Sequence, residues 1–358
     1  MGILEIGEHA HALGGDFVFS ENPELTPRAS RLGSVMGVRV AGTGSCVPAN
    51  VVRNEDLAAE GYDADWILQR TGILERRRLP PGLATSDLAV GAGQKCLESA
   101  DVDPADVDLL LVGTYTADLY LPATACFVQH RLGLRCPAFD MAAACASFAY
   151  GMVTGMQFIK TGNCRNVLVI GADCNSRICD PADMKTYPLF GDAGGAVLLQ
   201  PGDHSQGIVS YAVGVDGEGA KLLWRPMGGS LTPYSHDGAD QGLHYLQMAG
   251  KPVFKWAIRT LQDTIGEVLA HSGKQLDDVN LVIFHQANVR IINTVAKSLG
   301  LDPDRVFVNL DRYGNTASAS IPLALDEARE AGRISKGDLV LFSGFGAGLA
   351  WGTILLQW

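Results

Sequence analysis

The chain has 358 residues, 47% of them hydrophobic and 19% charged, and a formal net charge of -11. That length and balance suit a folded protein with one large core or two moderate ones, and the acidity argues against broad attraction to nucleic acid. No apolar stretch reaches membrane-spanning length without glycine or charge, so no membrane partner is expected.

Residues 1–35 show no sustained hydrophobic period and contain Gly14-Gly15, Pro23 and Pro27. They read as an N-terminal extension, either disordered or a packed arm. They lack a basic region followed by an apolar block, so no secretory signal is expected. Ile6 stands where a myristoylation start needs Ser or Thr. Met36 then opens MGVRVAGTGSCVP, a strand followed by a turn.

Beyond it strands and helices alternate, which predicts α/β layers. The segments Cys96–Thr114 and Val268–Gln286 both run from a helix end through an acidic turn into a buried strand, at an offset of 172 residues. The same offset aligns NVLVIGAD, from Asn166, with GDLVLFSG, in which Asp338 matches Asn166. A helix ends in Leu132-Gly133-Leu134 in one copy and in Leu299-Gly300-Leu301 in the other. This predicts two halves, 36–205 and 206–358, built on one unit. Corresponding strand ends would then face a shared interface, where α/β folds place ligands.

Eight cysteines occur at positions 46, 96, 126, 136, 145, 164, 174 and 179. They form no CxxC pair and no Cys/His ladder, so no metal site is expected, and their usage suits a reducing, cytoplasmic setting. Cys145 stands apart from the others. In FDMAAACASFAYGM a strand ends near Asp140, small residues turn the chain, and a helix begins at about the cysteine. A helix N-terminus lowers a thiol's pKa, and its free amides suit an oxyanion. His285 closes a buried strand in LVIFHQANVRI, and Asn315 sits in the small-residue turn DRYGNTASASIP. Each alone reads more readily as a structural residue than a catalytic one. The glycine-rich SGFGAGLAWG matches no phosphate-binding fingerprint and suits presentation of a backbone amide.

Together DWILQRTGILERR, FDMAAACASF, FGDAGGAVLL, FHQANVRI, YGNTASASIP and FGAGLAWG resemble the ketoacyl-acyl-carrier-protein synthase III family of the thiolase superfamily, in order from about Val38 to Trp358. The resemblance implies a five-layer αβαβα thiolase-type fold and a homodimer. It implies that Cys145 takes an acyl group from acyl-CoA, and that His285 and Asn315 then promote decarboxylation of malonyl-acyl carrier protein. The enolate would attack the acyl-cysteine, with the amides of Cys145 and Ala347 holding the oxyanion. No cofactor is implied beyond acyl-CoA as substrate. Trp66, Arg70, Gly250 and Asn288 match donor-binding positions, and Lys255 and Arg290 match positions that dock the carrier. Two departures stand at binding positions. Met184 replaces an arginine over the adenine, with Lys185 beside it as a substitute cation, and Tyr120 replaces a phenylalanine that closes the partner's acyl tunnel. The rival readings are a superfamily acyltransferase or condensing enzyme of secondary metabolism with another acceptor, a silent partner subunit, and a cysteine hydrolase.

Overall fold

The computed structural model describes residues 30–358, so most of the N-terminal extension lies outside the described residues. The strands are β1 (Arg31–Met36), β2 (Val38–Cys46), β3 (Val51–Arg53), β4 (Glu75–Arg77), β5 (Leu109–Gly113), β6 (Ala138–Met141), β7 (Val167–Asp173) and β8 (Ala193–Pro201). The second half adds β9 (Gly207–Val215), β10 (Leu223–Trp224), β11 (Gln247–Met248), β12 (Leu281–Phe284), β13 (Val306–Phe307), β14 (Leu339–Gly346) and β15 (Ala350–Gln357).

Two sheets carry the fold, ordered β2-β8-β7-β5-β6 and β1-β9-β15-β14-β12-β13. Setting β1 aside, both have the same sequence of pairings: two antiparallel, then two parallel. The repeat seen in the sequence is therefore structural. β12 starts 172 residues after β5 (281 − 109), and β14 starts 172 after β7 (339 − 167).

Strands such as Leu109–Gly113 are apolar throughout because helices cover both faces. Leu109 and Leu111 point inward, toward the helices Ser147–Lys160 and Ser320–Glu330, whose Met152, Met156, Ile321 and Leu325 also meet Ile283 and Phe342 of the other sheet. Leu110 and Val112 point outward, against the helices Thr85–Ala100 and Thr124–Arg131. On the far side the helices Gly250–Ser272 and Val289–Leu299 cover Val282, Leu341 and Leu355. The result is five layers, αβαβα. Close approach in the central layer needs glycine: a Cβ on Gly195 would stand 2.7 Å from the Leu323 nitrogen.

The start of the fold departs from the sequence reading. The strand expected after Met36 is β2, but a further strand, β1, precedes it and lies in the other sheet. Gly37, at φ +88°, turns the chain between them. β1 pairs antiparallel with β9 of the second half, and Ser30 accepts a 3.0 Å hydrogen bond from Trp351 Nε1. Part of the 1–35 extension is thus an edge strand. Among the described residues no helix is long and apolar enough to cross a membrane.

Candidate active site

Strand β6 is pinned at its end by Asp140, whose carboxylate accepts the Thr124 and Ala125 amides at 2.7 Å each. The chain then bends sharply. Ala144 adopts φ +47°, in the left-handed region that side chains other than glycine rarely enter. A single 3-10 turn, Ala144–Ala146, leads into the helix Ser147–Lys160. Cys145 sits on that turn, buried. Gly346 presses against it so closely that a Cβ there would lie 2.6 Å from the Cys145 nitrogen. Burial pushes the thiol above its ordinary pKa, and the nearby Asp173 carboxylate acts in the same direction. The lowered pKa expected from the helix N-terminus is therefore overturned. Removing a thiolate from water outweighs the turn's partial charges.

The second half supplies the facing groups. His285 follows β12, with its amide bonded to the Ser343 carbonyl at 2.8 Å. Its ring lies edge-on to Phe345, with centroids 5.4 Å apart. Burial lowers its pKa to about 3, so the imidazole is neutral. Its Nδ1 has no hydrogen-bond partner among the described residues. Asn315 is held by the first half: its amide donates to the Leu189 carbonyl at 2.8 Å, and its carbonyl accepts the Gly191 amide at 3.0 Å. Its Oδ1 accepts the Ala317 amide at 2.9 Å.

Beneath these groups lies Asp173, fully buried at the end of β7. Its carboxylate accepts six donors between 2.5 and 3.2 Å: two hydroxyls and two amides from Thr114, Tyr115 and Thr116, and the amide and hydroxyl of Ser318. Ser318 also donates to the Gly113 carbonyl at 2.8 Å. This carboxylate fastens the first half's cavity-lining loop at Tyr115 to the turn that carries Asn315. The sequence reading passed over it as the end of an apolar strand. Its only signal was an acid closing VLVIGAD.

Cys145, His285, Asn315 and Ala347 line one cavity of about 990 Å³. Tyr115, Ile178, Leu189, Phe190 and Leu246 give it an apolar wall, and Trp66, Gly250 and Asn288 also line it. Asn288 caps the helix Val289–Leu299 by accepting the Arg290 amide at 2.8 Å, and its Nδ2 reaches the Arg70 carbonyl at 3.1 Å. Six cations line the same cavity, Arg70, Lys185, Arg225, Lys251, Lys255 and Arg290, with no carboxylate among the lining residues. Arg225 and Lys251 were not singled out from the sequence.

Two expected binding residues do not join this cavity. Met184 is 45% exposed, and Lys185 beside it takes the wall position. Tyr120 is 83% exposed, and its hydroxyl comes to 3.5 Å from where a Cβ on Gly229 would be. In a single chain it faces solvent rather than the cavity.

Comparison with known proteins agrees with this architecture. The family models described as 3-oxoacyl-[acyl-carrier-protein (ACP)] synthase III and its C-terminal part match residues 139–217 and 269–358. A beta-ketoacyl-[acyl-carrier-protein] synthase III from Rhodopirellula baltica is 53% identical, over 91% of this chain and 100% of its own length. The crystal structure of the synthase III from Thermus thermophilus superposes with a TM-score of 0.84 at 39% identity, covering 89% of this chain and 99% of that one. The priming beta-ketosynthase of the R1128 polyketide pathway superposes at 0.82 with 33% identity, covering 94% and 99%. A thiol on a tight turn, a neutral imidazole and an asparagine amide on one cavity of a doubled αβαβα fold therefore have close relatives, and the chain belongs to the beta-ketoacyl-[acyl-carrier-protein] synthase III family.

Proposed function

We propose that this chain is a 3-oxoacyl-acyl-carrier-protein synthase of fatty acid biosynthesis, condensing an acyl thioester with malonyl-acyl carrier protein. The observation that carries it is the joining of Cys145, a neutral His285 and Asn315 in the lining of one cavity with an apolar flank. In the first step the Cys145 sulfur attacks the acyl-CoA carbonyl, the C–S bond of the donor breaks, and the thiol's proton leaves with CoA. In the second, malonyl thioester loses carbon dioxide, and the electron pair becomes an enolate whose oxygen His285 and Asn315 hold. The enolate carbon attacks the acyl-cysteine and expels the Cys145 thiolate, which regains a proton. The amides of Cys145 and Ala347 serve as the oxyanion donors. A neutral imidazole donates a hydrogen bond without adding charge, which suits a step that needs stabilisation rather than a strong base.

The rim cations support the assignment of substrates. Trp66, Arg70, Gly250 and Asn288 would receive the CoA donor, and Lys255 and Arg290 the acidic carrier, against the repulsion expected from the chain's net charge. The exposed Leu119, Tyr120, Leu121 and Leu231 suit burial against a second copy, which supports a homodimer. We assign a cytoplasmic site of action and no cofactor. Likeness to the R1128 priming synthase keeps a second reading, initiation of a secondary-metabolic chain. Intact-mass analysis after incubation with an acyl-CoA panel, then with malonyl-carrier protein, tests the condensation that both readings require. A Cys145 adduct that is converted to 3-oxoacyl-carrier fits the proposal. An adduct discharged only to another acceptor, or no adduct with any donor, refutes it.

A further inference from the structure

Arg225 and Lys251 come from different elements but reach one rim. β10 and β11 form a two-stranded ribbon pairing Leu223 with Met248 and Trp224 with Gln247. Arg225 leaves the end of β10, and Lys251 stands in the first turn of the helix that follows β11. Both are exposed and both line the cavity that holds Cys145, as does Trp224. Arg225 is oriented by its Nε, which donates to the His244 carbonyl at 2.6 Å. Among the described residues neither cation meets a carboxylate. In a chain with 39 acidic and 28 basic residues, a rim of six cations without an acid selects an anionic ligand.

We infer that Arg225 and Lys251, beside Trp224, form a clamp for the phosphate-bearing end of the thioester substrates. A guanidinium fixed at one nitrogen leaves its other donors for phosphate oxygens, and an ammonium adds a mobile point charge. The clamp rests on the proposed function for the identity of the substrates. The phosphates could come from the nucleotide end of CoA or from the phosphodiester of a carrier's pantetheine arm.

Equilibrium binding of CoA, pantetheine, and holo- and apo-carrier protein to the full chain tests this without any chemistry. In Arg225→Ala/Lys251→Ala, CoA affinity should fall roughly ten-fold, with pantetheine binding unaltered and less dependence on salt than in the parent. Loss confined to holo-carrier, with apo-carrier unaffected, would place the carrier's phosphodiester in the clamp instead. Unchanged affinity for both CoA and holo-carrier, or an equal loss for pantetheine, overturns the inference. Failure of the functional reading would look different: normal CoA binding by the parent chain with no adduct at Cys145.

Discussion

The two halves carry the same backbone device and use it for opposite ends. In the first, Ala144 at φ +47° begins the 3-10 turn Ala144–Ala146, and a helix starts at Ser147. In the second, Ala317 at φ +53° begins the turn Ala317–Ala319, and a helix starts at Ser320. The residue after the strained alanine is Cys145 in one and Ser318 in the other. Cys145 opens on the cavity; Ser318 spends its hydroxyl on Asp173 and the Gly113 carbonyl. A left-handed alanine costs roughly 1–3 kcal/mol, so both turns persist only because packing enforces them. The comparison shows that the turn alone does not decide where its side chain goes. What matters is whether its side chain meets substrate space or a buried partner.

Transplanting the thiol is the severest way to break that comparison. Cys145→Ala should lower self-acylation by more than about 10³-fold, and adding Ser318→Cys should restore nothing, because position 318 is 1% exposed and faces a carboxylate. Intact-mass spectra with an acyl-CoA donor read this directly. A full-stoichiometry adduct in the double variant would show that the turn suffices.

A smaller effect separates the labour of the halves. His285→Ala and Asn315→Ala should each still acylate Cys145 but release carbon dioxide from labelled malonyl-carrier protein about 10²-fold more slowly. If both variants kept the parent's release rate, the second half's role would be wrong.

A further effect is on stability. His285 titrates near 3 when folded and near its ordinary 6.5 when unfolded. Between those values the unfolded chain binds the extra proton, so stability rises with pH and is lost as pH falls through the window, by at most about 1.4 kcal/mol per unit from this group. Denaturant midpoints of parent and His285→Asn, measured from pH 4 to 7, should converge as the pH drops. Parallel curves would mean that the imidazole is not held neutral by burial.

Much of this was legible because it was local or repeated. The 172-residue offset fixed β5 with β12 and β7 with β14, and strand-turn-helix punctuation singled out Cys145, while His285 and Asn315 were raised to site residues by the family resemblance. What escaped depends on partners distant in sequence. β1 has the irregular burial of an edge strand and is defined by β9. Asp173 acquires its meaning from Ser318. Arg225 and Lys251 look like ordinary solvated charges until the β10–β11 ribbon brings them together. The Cys145 thiol was misjudged because desolvation is invisible in a local motif.

The placement of β1 also bears on how the chain is made. Arg31 pairs with Val213 and Met36 with Gly207, so the earliest described strand leaves the ribosome long before its only strand neighbour among the described residues. At roughly 5–20 residues per second, synthesis of the intervening stretch takes on the order of ten to thirty-five seconds. Throughout that interval β1 has no sheet to join, while β2 to β8 can already assemble the first half around it. The nascent first half therefore carries a strand addressed to a sheet not yet translated, and the arrival of β9 adds that pairing to the contacts the central helices and Asp173 make between the halves.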